Sequence, residues 1–152
     1  MWAIVVAAAL PWLAADASTP ADELNAAGLW RTIDDRTGKP RAVIRIWAEH
    51  GRLRGRIEHR YRKPRESKDP VCRRCTGARR GQRVIGMVVL WHHRLERGGR
   101  WSGGRVLDPE MGKDYPGRLW LEGPDTLKVR GYWGPFHRTQ SWHRLEAEPR
   151  IE

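Results

Sequence analysis

Apolar and polar residues alternate with a period of two in short segments along most of the chain. No segment sustains the longer apolar period of an amphipathic helix. In residues 127–132, for example, the odd positions are apolar or small, whereas the even positions include Lys128 and Arg130. Segments of this kind predict eight β-strands, at residues 29–34, 42–48, 53–61, 84–91, 100–107, 115–122, 126–133 and 139–145.

Glycine, proline and aspartate fill most of the connections between these segments, which suits the turns of an antiparallel meander. A sheet with one apolar face must cover that face, either by forming a sandwich or by closing on itself. Closure also removes unpaired edge strands. We therefore expect an all-β fold, a closed antiparallel up-and-down barrel over residues 28–145, with residues 62–82 as a long flap across one end.

The first 17 residues predict a secretory signal peptide. Their apolar run has one break, at Pro11, and leads into a small-Asp-small triplet that ends at Ala17 and suits a signal peptidase. A short membrane anchor is the alternative, but an anchor needs about 20 uninterrupted apolar residues. We expect cleavage after Ala17, followed by a linker at residues 18–27, the barrel, and a C-terminal tail at residues 146–152.

Basic residues dominate the charge of the chain, with 29 Lys and Arg against 18 Asp and Glu. The signal peptide holds one of those aspartates, so the mature chain carries a formal charge of +12. Residues 52–83 alone contribute +10, from 13 basic and three acidic residues. Such a surface keeps an exported protein soluble, or it docks the protein on anionic lipid or an acidic ligand; nucleic acid is a poor match to an exported protein. The docking hypothesis uses the flap arginines Arg73, Arg74, Arg79 and Arg80.

Both cysteines, Cys72 and Cys75, lie in the flap among arginines. In an exported protein such a pair most simply forms a disulfide. Closing so short a loop restricts the unfolded chain by about 2 kcal/mol, so the bond would shape the flap more than it would hold the domain. A redox centre, which would need a thioredoxin-like strand and helix, and a zinc site, which would need two further ligands, are the alternatives.

Signals for catalysis are weak in this sequence. His92 and His93 are adjacent and would project to opposite faces of a strand, so we expect surface or rim histidines rather than metal ligands. The chain contains no nucleophile elbow, phosphate-binding glycine loop or metalloprotease helix. Ser102 and Asp108 could be combined with a histidine, but nothing in their spacing requires it. We expect a binding protein rather than an enzyme, with no cofactor and no metal.

Seven of the nine tryptophans follow the predicted signal peptide, nearly one for each predicted strand. Large aromatic side chains dominate protein cores, so we expect most of them to pack inside the barrel or to close its ends. A minority could line a cavity, where a flat apolar wall with an N–H group suits a small ligand.

Four motifs resemble one known family: Gly28-Leu29-Trp30, DPVC at residues 69–72, WSGGRVLDPEMGKDY at residues 101–115, and LKVRGYWGPFHRTQSW at residues 127–142. Together they resemble the bacterial exported family known as domain of unknown function 2147, over residues 28–145. The Gly-x-Trp opening also resembles lipocalin-like barrels, in which a late-strand arginine covers the tryptophan through a cation–π contact. The resemblance implies a lipocalin-like or calycin-like barrel in the bacterial envelope, periplasmic or secreted, with no established reaction.

Polar motif residues on the predicted strands indicate a ligand site. A guanidinium such as that of Arg130, if buried, needs a partner, which a ligand carboxylate or an internal network with Asp108 or Glu122 could supply. We therefore predict binding of an apolar or amphipathic molecule with an acidic group. The alternative is an envelope protein whose basic flap docks on anionic lipid or a protein partner. The predicted ligand-binding residues are Trp30, Trp101, Tyr115, Arg130, Tyr132, Arg138 and Gln140.

Overall fold

The structure, a computed structural model, describes residues 26–147 and residue 149. The predicted signal peptide, most of the predicted linker and part of the predicted tail lie outside the described residues. Among the described residues, no helix is long and apolar enough to span a membrane. The strands, in chain order, are β1 Gly28–Ile33, β2 Pro40–Glu49, β3 Arg52–Arg60, β4 Val88–Glu96, β5 Arg100–Asp108, β6 Lys113–Leu121, β7 Thr126–Trp133 and β8 Phe136–Leu145.

The eight strands form one closed barrel, which confirms the predicted all-β fold. Each strand pairs antiparallel with the next, and β8 pairs with β1 along a seam that places Leu29 opposite Leu145. Because successive strands reverse direction, their connections divide between two ends of the barrel. The open end carries the connections at residues 34–39, 61–87, 109–112 and 134–135, and the closed end carries those at 50–51, 97–99 and 122–125.

The core follows the period of two in the sequence. Side chains on one face of each strand point into the barrel, and the opposite face carries charged residues. Each fully buried aliphatic side chain stabilises the fold by about 1.5–3 kcal/mol relative to an exposed one. The buried aliphatic residues that pack together in the barrel include Ile44, Ile46, Leu53, Ile57, Leu90, Leu119, Leu127 and Val129.

Strand β4 starts later than the sequence predicts. The predicted strand covered residues 84–91, whereas β4 is Val88–Glu96. Val84 and Met87 are buried as a strand's residues would be, but they anchor the end of the flap, whose backbone bonds to Ile57 at 2.7 and 3.0 Å. The flap therefore extends over residues 61–87. The predicted start of β4 was wrong because the apolar Val84 and Met87 resemble strand residues in the sequence.

The flap is held together by the predicted disulfide and by backbone hydrogen bonds. Cys72 and Cys75 are bonded and buried. Pairing of Val71 with Arg83 closes the flap, and a short 3-10 turn occupies Gly77–Arg79. Gly112, in the β5–β6 turn, lies so close to the backbone of Arg74 and Cys75 that a Cβ atom there would overlap it. The disulfide loop is therefore packed against the β5–β6 turn at the open end.

Trp30 fills the closed end of the barrel. Its side chain is 0% exposed, and its indole Nε1 donates a hydrogen bond to the Ala26 carbonyl oxygen at 2.8 Å. The Arg144 guanidinium lies 4.2 Å from the ring centroid and donates from Nη1 to the Ala27 carbonyl oxygen at 2.9 Å. This confirms the cation–π contact implied by the Gly-x-Trp opening, and it seals one end of the barrel.

Candidate ligand-binding cavity

A cavity of about 500 Å³ occupies the half of the barrel next to the open end. Its wall is mainly apolar because seven strands, β2 to β8, contribute aliphatic or aromatic side chains there. The β5–β6 turn and the ends of β7 and β8 form part of its mouth. The apolar lining residues include Ala42, Ile44, Ile57, Val89, Val106, Leu107, Val129 and Trp142.

Small residues keep this half of the barrel open. Gly131 lines the cavity, and a Cβ atom added there would meet the Tyr115 Cβ atom at an ordinary 3.7 Å. By contrast, Cβ atoms at Gly104 and Gly117 would overlap neighbouring atoms. The barrel is therefore tightly packed around Gly104 and Gly117 and has unfilled space at Gly131.

Charged residues at the mouth are joined in an ion-pair network. Arg41 lies 3.2 Å from Asp108 and 3.1 Å from Glu110, and Arg60 lies 2.7 Å from Glu66 and 3.0 Å from Glu110. Burial raises the pKa of Glu110, but the hydrogen bonds and charges of neighbouring Lys and Arg outweigh it, so the pKa falls below the ordinary 4.5. These cations are already neutralised by protein carboxylates.

Other polar groups at the mouth are better placed for a ligand. Lys113 lines the cavity and has no ion pair within the described part of the chain. The Gln140 Oε1 atom accepts a hydrogen bond from the Trp142 indole at 3.2 Å, which leaves the amide NH₂ as a donor. Arg138 pairs with Asp35 at 2.6 Å and remains more than half exposed. Three predicted ligand residues, Tyr115, Arg138 and Gln140, thus lie together around one cavity.

The other four predicted ligand residues do not line this cavity. Trp30 seals the closed end, and Trp101 is buried in the core at the start of β5, far from the mouth along its strand. Arg130 and Tyr132 lie on the outer wall, because they occupy the positions of β7 that alternate with inward Val129 and Gly131.

The outer-wall pair makes local contacts instead. Arg130 donates from Nε to the Thr139 hydroxyl at 2.7 Å, and its guanidinium lies 5.0 Å from the Trp120 ring centroid. The Tyr132 ring centroid lies 6.0 Å from the Arg118 guanidinium. A buried network of Arg130 with Asp108 or Glu122 is therefore wrong.

The predicted basic patch on the flap is not a single surface. The side chains of Arg73, Arg74 and Arg80 are exposed, whereas Arg79 is half-buried and stacks 4.4 Å from the Trp91 ring centroid on the barrel wall. Arg74 reaches the β5–β6 turn, where its Nη1 lies 3.9 Å from the Met111 sulfur. Three exposed arginines therefore face solvent near the open end, and one holds the flap to the barrel.

His93 is the polar residue that sequence reasoning misplaced most. It was expected at the surface or rim, but it is 0% exposed, because a positive φ of 66° at His92 turns it into the barrel. Gly104 and Gly117 give the imidazole its space. Burial, then the charge of His92, lowers the pKa of His93 to about 4, and a contact with the Gly117 backbone opposes this shift. Among the residues that the structure describes, neither ring nitrogen has a hydrogen-bond partner of ordinary geometry. The glycines at positions 104 and 117 are the sequence signal that could have indicated a large buried side chain beside them.

Comparison with solved structures gives the same fold. The barrel is similar to protein HP1028 from the human pathogen Helicobacter pylori, which is described as belonging to the lipocalin family. The TM-score is 0.67 at 18% sequence identity, and the alignment covers 79% of this chain and 82% of that chain. The likeness shows a lipocalin-like barrel.

Comparison with sequences places the chain in a family. No curated protein matches the sequence. A family model for the group described as uncharacterized protein conserved in bacteria matches residues 28–144, which spans the barrel from β1 into β8. Because this match covers most of the chain, the protein belongs to that bacterial family, DUF2147.

Proposed function

We propose that this is an exported protein that binds one small apolar or amphipathic molecule with an acidic group, in the periplasm or outside the cell. The observation that carries the proposal is the cavity of about 500 Å³ inside the barrel, open at one end and walled by apolar side chains. Small-molecule sites are concave, mostly apolar and about 300–1,000 Å³ in volume. The lipocalin-like fold supports binding of a small ligand in general.

The cavity would orient the ligand with its apolar part inside the barrel and its acidic group at the mouth. Its apolar part would contact Ile44, Val129 and Trp142, where burial contributes about 25 cal/mol per Å² of apolar surface. Its acidic group would lie at the mouth, close to the Lys113 ammonium and the Gln140 amide. Arg41 and Arg60 are less available there, since both already pair with carboxylates.

The same arrangement favours binding over catalysis. Among the described residues that line the cavity, no cluster of titratable side chains lies deep inside, and the charged groups at the mouth are mostly joined in ion pairs. Within the described residues, no group of three or more His, Cys, Asp or Glu side chains could hold a metal ion. Binding through shape and apolar burial is the chemistry these residues perform best.

Filling the cavity tests the proposal directly. The probe is cis-parinaric acid, a fluorescent polyene fatty acid, titrated into the purified protein. Gly131→Leu places a branched side chain in the unfilled space and should weaken binding by about tenfold or more. Gly131→Ala is the matched control and should bind nearly normally, because its methyl group has ordinary contact distances. Equal binding by both variants would contradict an internal site, as would no binding by the wild type.

The acidic group is tested in a second arm of the same titration. Lys113→Glu should weaken binding of the acid but not of the corresponding polyene alcohol. Arg97→Glu, in the closed-end connection, makes the same change in charge away from the cavity and should change neither affinity. If the alcohol loses as much affinity as the acid, the mouth does not recognise a carboxylate.

A further inference from the structure

Exposed apolar side chains are concentrated at the open end. Five large apolar residues are exposed among the residues that the structure describes, and four of them belong to the flap, the β5–β6 turn or the β7–β8 hairpin. Single exposed apolar residues are normal on a protein surface, so the informative fact is their location. The four are Val71, Met111, Trp133 and Phe136, and the fifth, Leu95, lies near the closed end.

The apolar tips surround the mouth of the cavity. Trp133 and Phe136 face each other across the two-residue turn of the β7–β8 hairpin and are 44% and 63% exposed. Met111 lies in the β5–β6 turn and is 47% exposed. Met111 and Trp133 also line the cavity. Met111 and Trp133 therefore belong both to the exposed apolar tips and to the lining of the cavity.

Charge is divided between the two ends in the same way. The four open-end connections contain 11 basic and five acidic residues, a net charge of +6, whereas the three closed-end connections contain one basic and two acidic residues. Arg73, Arg74 and Arg80 have no side-chain ion pair within the described part of the chain. Arg74 also contacts Met111, so a cation lies directly beside an apolar tip.

We infer that the open end docks on an anionic lipid bilayer, with the Trp133–Phe136 hairpin tip and Met111 in the apolar boundary and the flap arginines among the headgroups. Apolar tips combined with surrounding Lys and Arg are the features that hold peripheral proteins on anionic membranes. Tryptophan favours the interface between headgroups and acyl chains. A bilayer also suits apolar groups on three separate loops around an opening, because a fluid surface conforms to them.

Docking in this orientation places the cavity mouth on the membrane. The function of this docking rests on the proposed binding of an apolar or amphipathic molecule. Such a ligand would pass between the bilayer and the cavity along Met111 and Trp133 without crossing water. The docking itself depends only on the tips and the charges. The two ideas can therefore fail separately.

Vesicle binding tests the docking. The full mature chain is mixed with phosphatidylcholine vesicles that contain phosphatidylglycerol, and the bound fraction is measured by sedimentation. Phe136→Asp should weaken binding by about tenfold, because it removes an inserted aromatic ring and adds a negative charge. Leu95→Asp makes a matched change at the closed end and should leave binding unchanged. Pure phosphatidylcholine vesicles and high salt should both reduce binding by the wild type.

Equal binding by the Phe136→Asp and Leu95→Asp variants would overturn the inference, as would equal binding to neutral and anionic vesicles. Self-association of the purified chain that Phe136→Asp abolishes, measured by sedimentation velocity, would instead assign the tips to a second copy.

Titration with cis-parinaric acid in the absence of vesicles separates the two proposals. Phe136 does not line the cavity, so Phe136→Asp should retain the probe affinity of the wild type. Vesicle binding without probe binding would contradict the proposed ligand site but would still support docking on the membrane.

Discussion

The two ends of the barrel use tryptophan in opposite ways. At the closed end, Trp30 is 0% exposed, is hydrogen-bonded to the backbone, and is covered by Arg144. At the open end, Trp133 is 44% exposed, and its ring centroid lies 5.9 Å from that of Tyr115 at the cavity mouth. One indole completes a core, and the other borders an opening. The difference predicts that the two indoles contribute unequally to stability, and it places the cavity mouth beside the exposed one.

Truncating the two tryptophans should have the most unequal effect on stability. Trp30→Ala should lower the free energy of unfolding by about 3–5 kcal/mol, because it leaves a cavity in a sealed core. Trp133→Ala should lower it by about 1 kcal/mol or less, since the ring is largely exposed already. Urea denaturation of both variants, followed by circular dichroism, measures the two values. Similar losses would mean that the closed end does not dominate the stability of the barrel.

Acidification should separate the interior from the mouth. Folding lowers the pKa of His93 from 6.5 to about 4, so the unfolded chain binds the extra proton and stability falls as the pH drops from 6.5 toward 4. At about 1.4 kcal/mol per pH unit, this loss amounts to about 3 kcal/mol. Glu66 and Glu110 have pKa values lowered from 4.5, so their contribution is lost only below pH 4.5.

The variant His93→Leu distinguishes these two groups in a series of denaturation curves from pH 7 to pH 3. It removes the titrating imidazole and should abolish the pH dependence between pH 6.5 and 4.5, while the loss below pH 4.5 should remain. An unchanged slope above pH 4.5 would show that His93 is not the group responsible.

Removing the disulfide should have a smaller effect than Trp30→Ala or acidification, and a local one. Replacing both cysteines by serine should lower the free energy of unfolding by about 2 kcal/mol, because the closed loop is short. Amide hydrogen exchange should rise in the flap at residues 61–87 and stay slow in β1 beside Trp30. Faster exchange throughout the barrel would mean that the flap stabilises both ends.

The sequence predicted the fold well because the period of two marks each strand directly. The same alternation was the better guide to Arg130, which shares a face with Lys128 and lies on the outer wall of the barrel. The ligand hypothesis placed Arg130 inside because it weighed the chemistry of a motif above the alternation. Of the seven predicted ligand residues, only Tyr115, Arg138 and Gln140 line the cavity, because these three combine an inward strand position with a place near the open end.

The misplaced features depend on geometry that a linear pattern does not contain. The turn of His93 into the barrel follows from one backbone angle at His92, which shifts the register of β4. The buried Val84 and Met87 have the composition of a strand, but a long-range contact with β3 makes them flap anchors. The size of the cavity likewise depends on the absence of a side chain at Gly131, which lies beside Tyr115 of the neighbouring strand β6.

The packing of the flap on Gly112 ties together two segments that are distant in sequence. Because no side chain fits between that glycine and the backbone of Arg74, the shape of the disulfide loop is complementary to a turn encoded almost forty residues later. Neither segment is an independent module. A chimera that receives this flap from another barrel would have to inherit the β5–β6 turn with it, and variation in one segment should be accompanied by variation in the other.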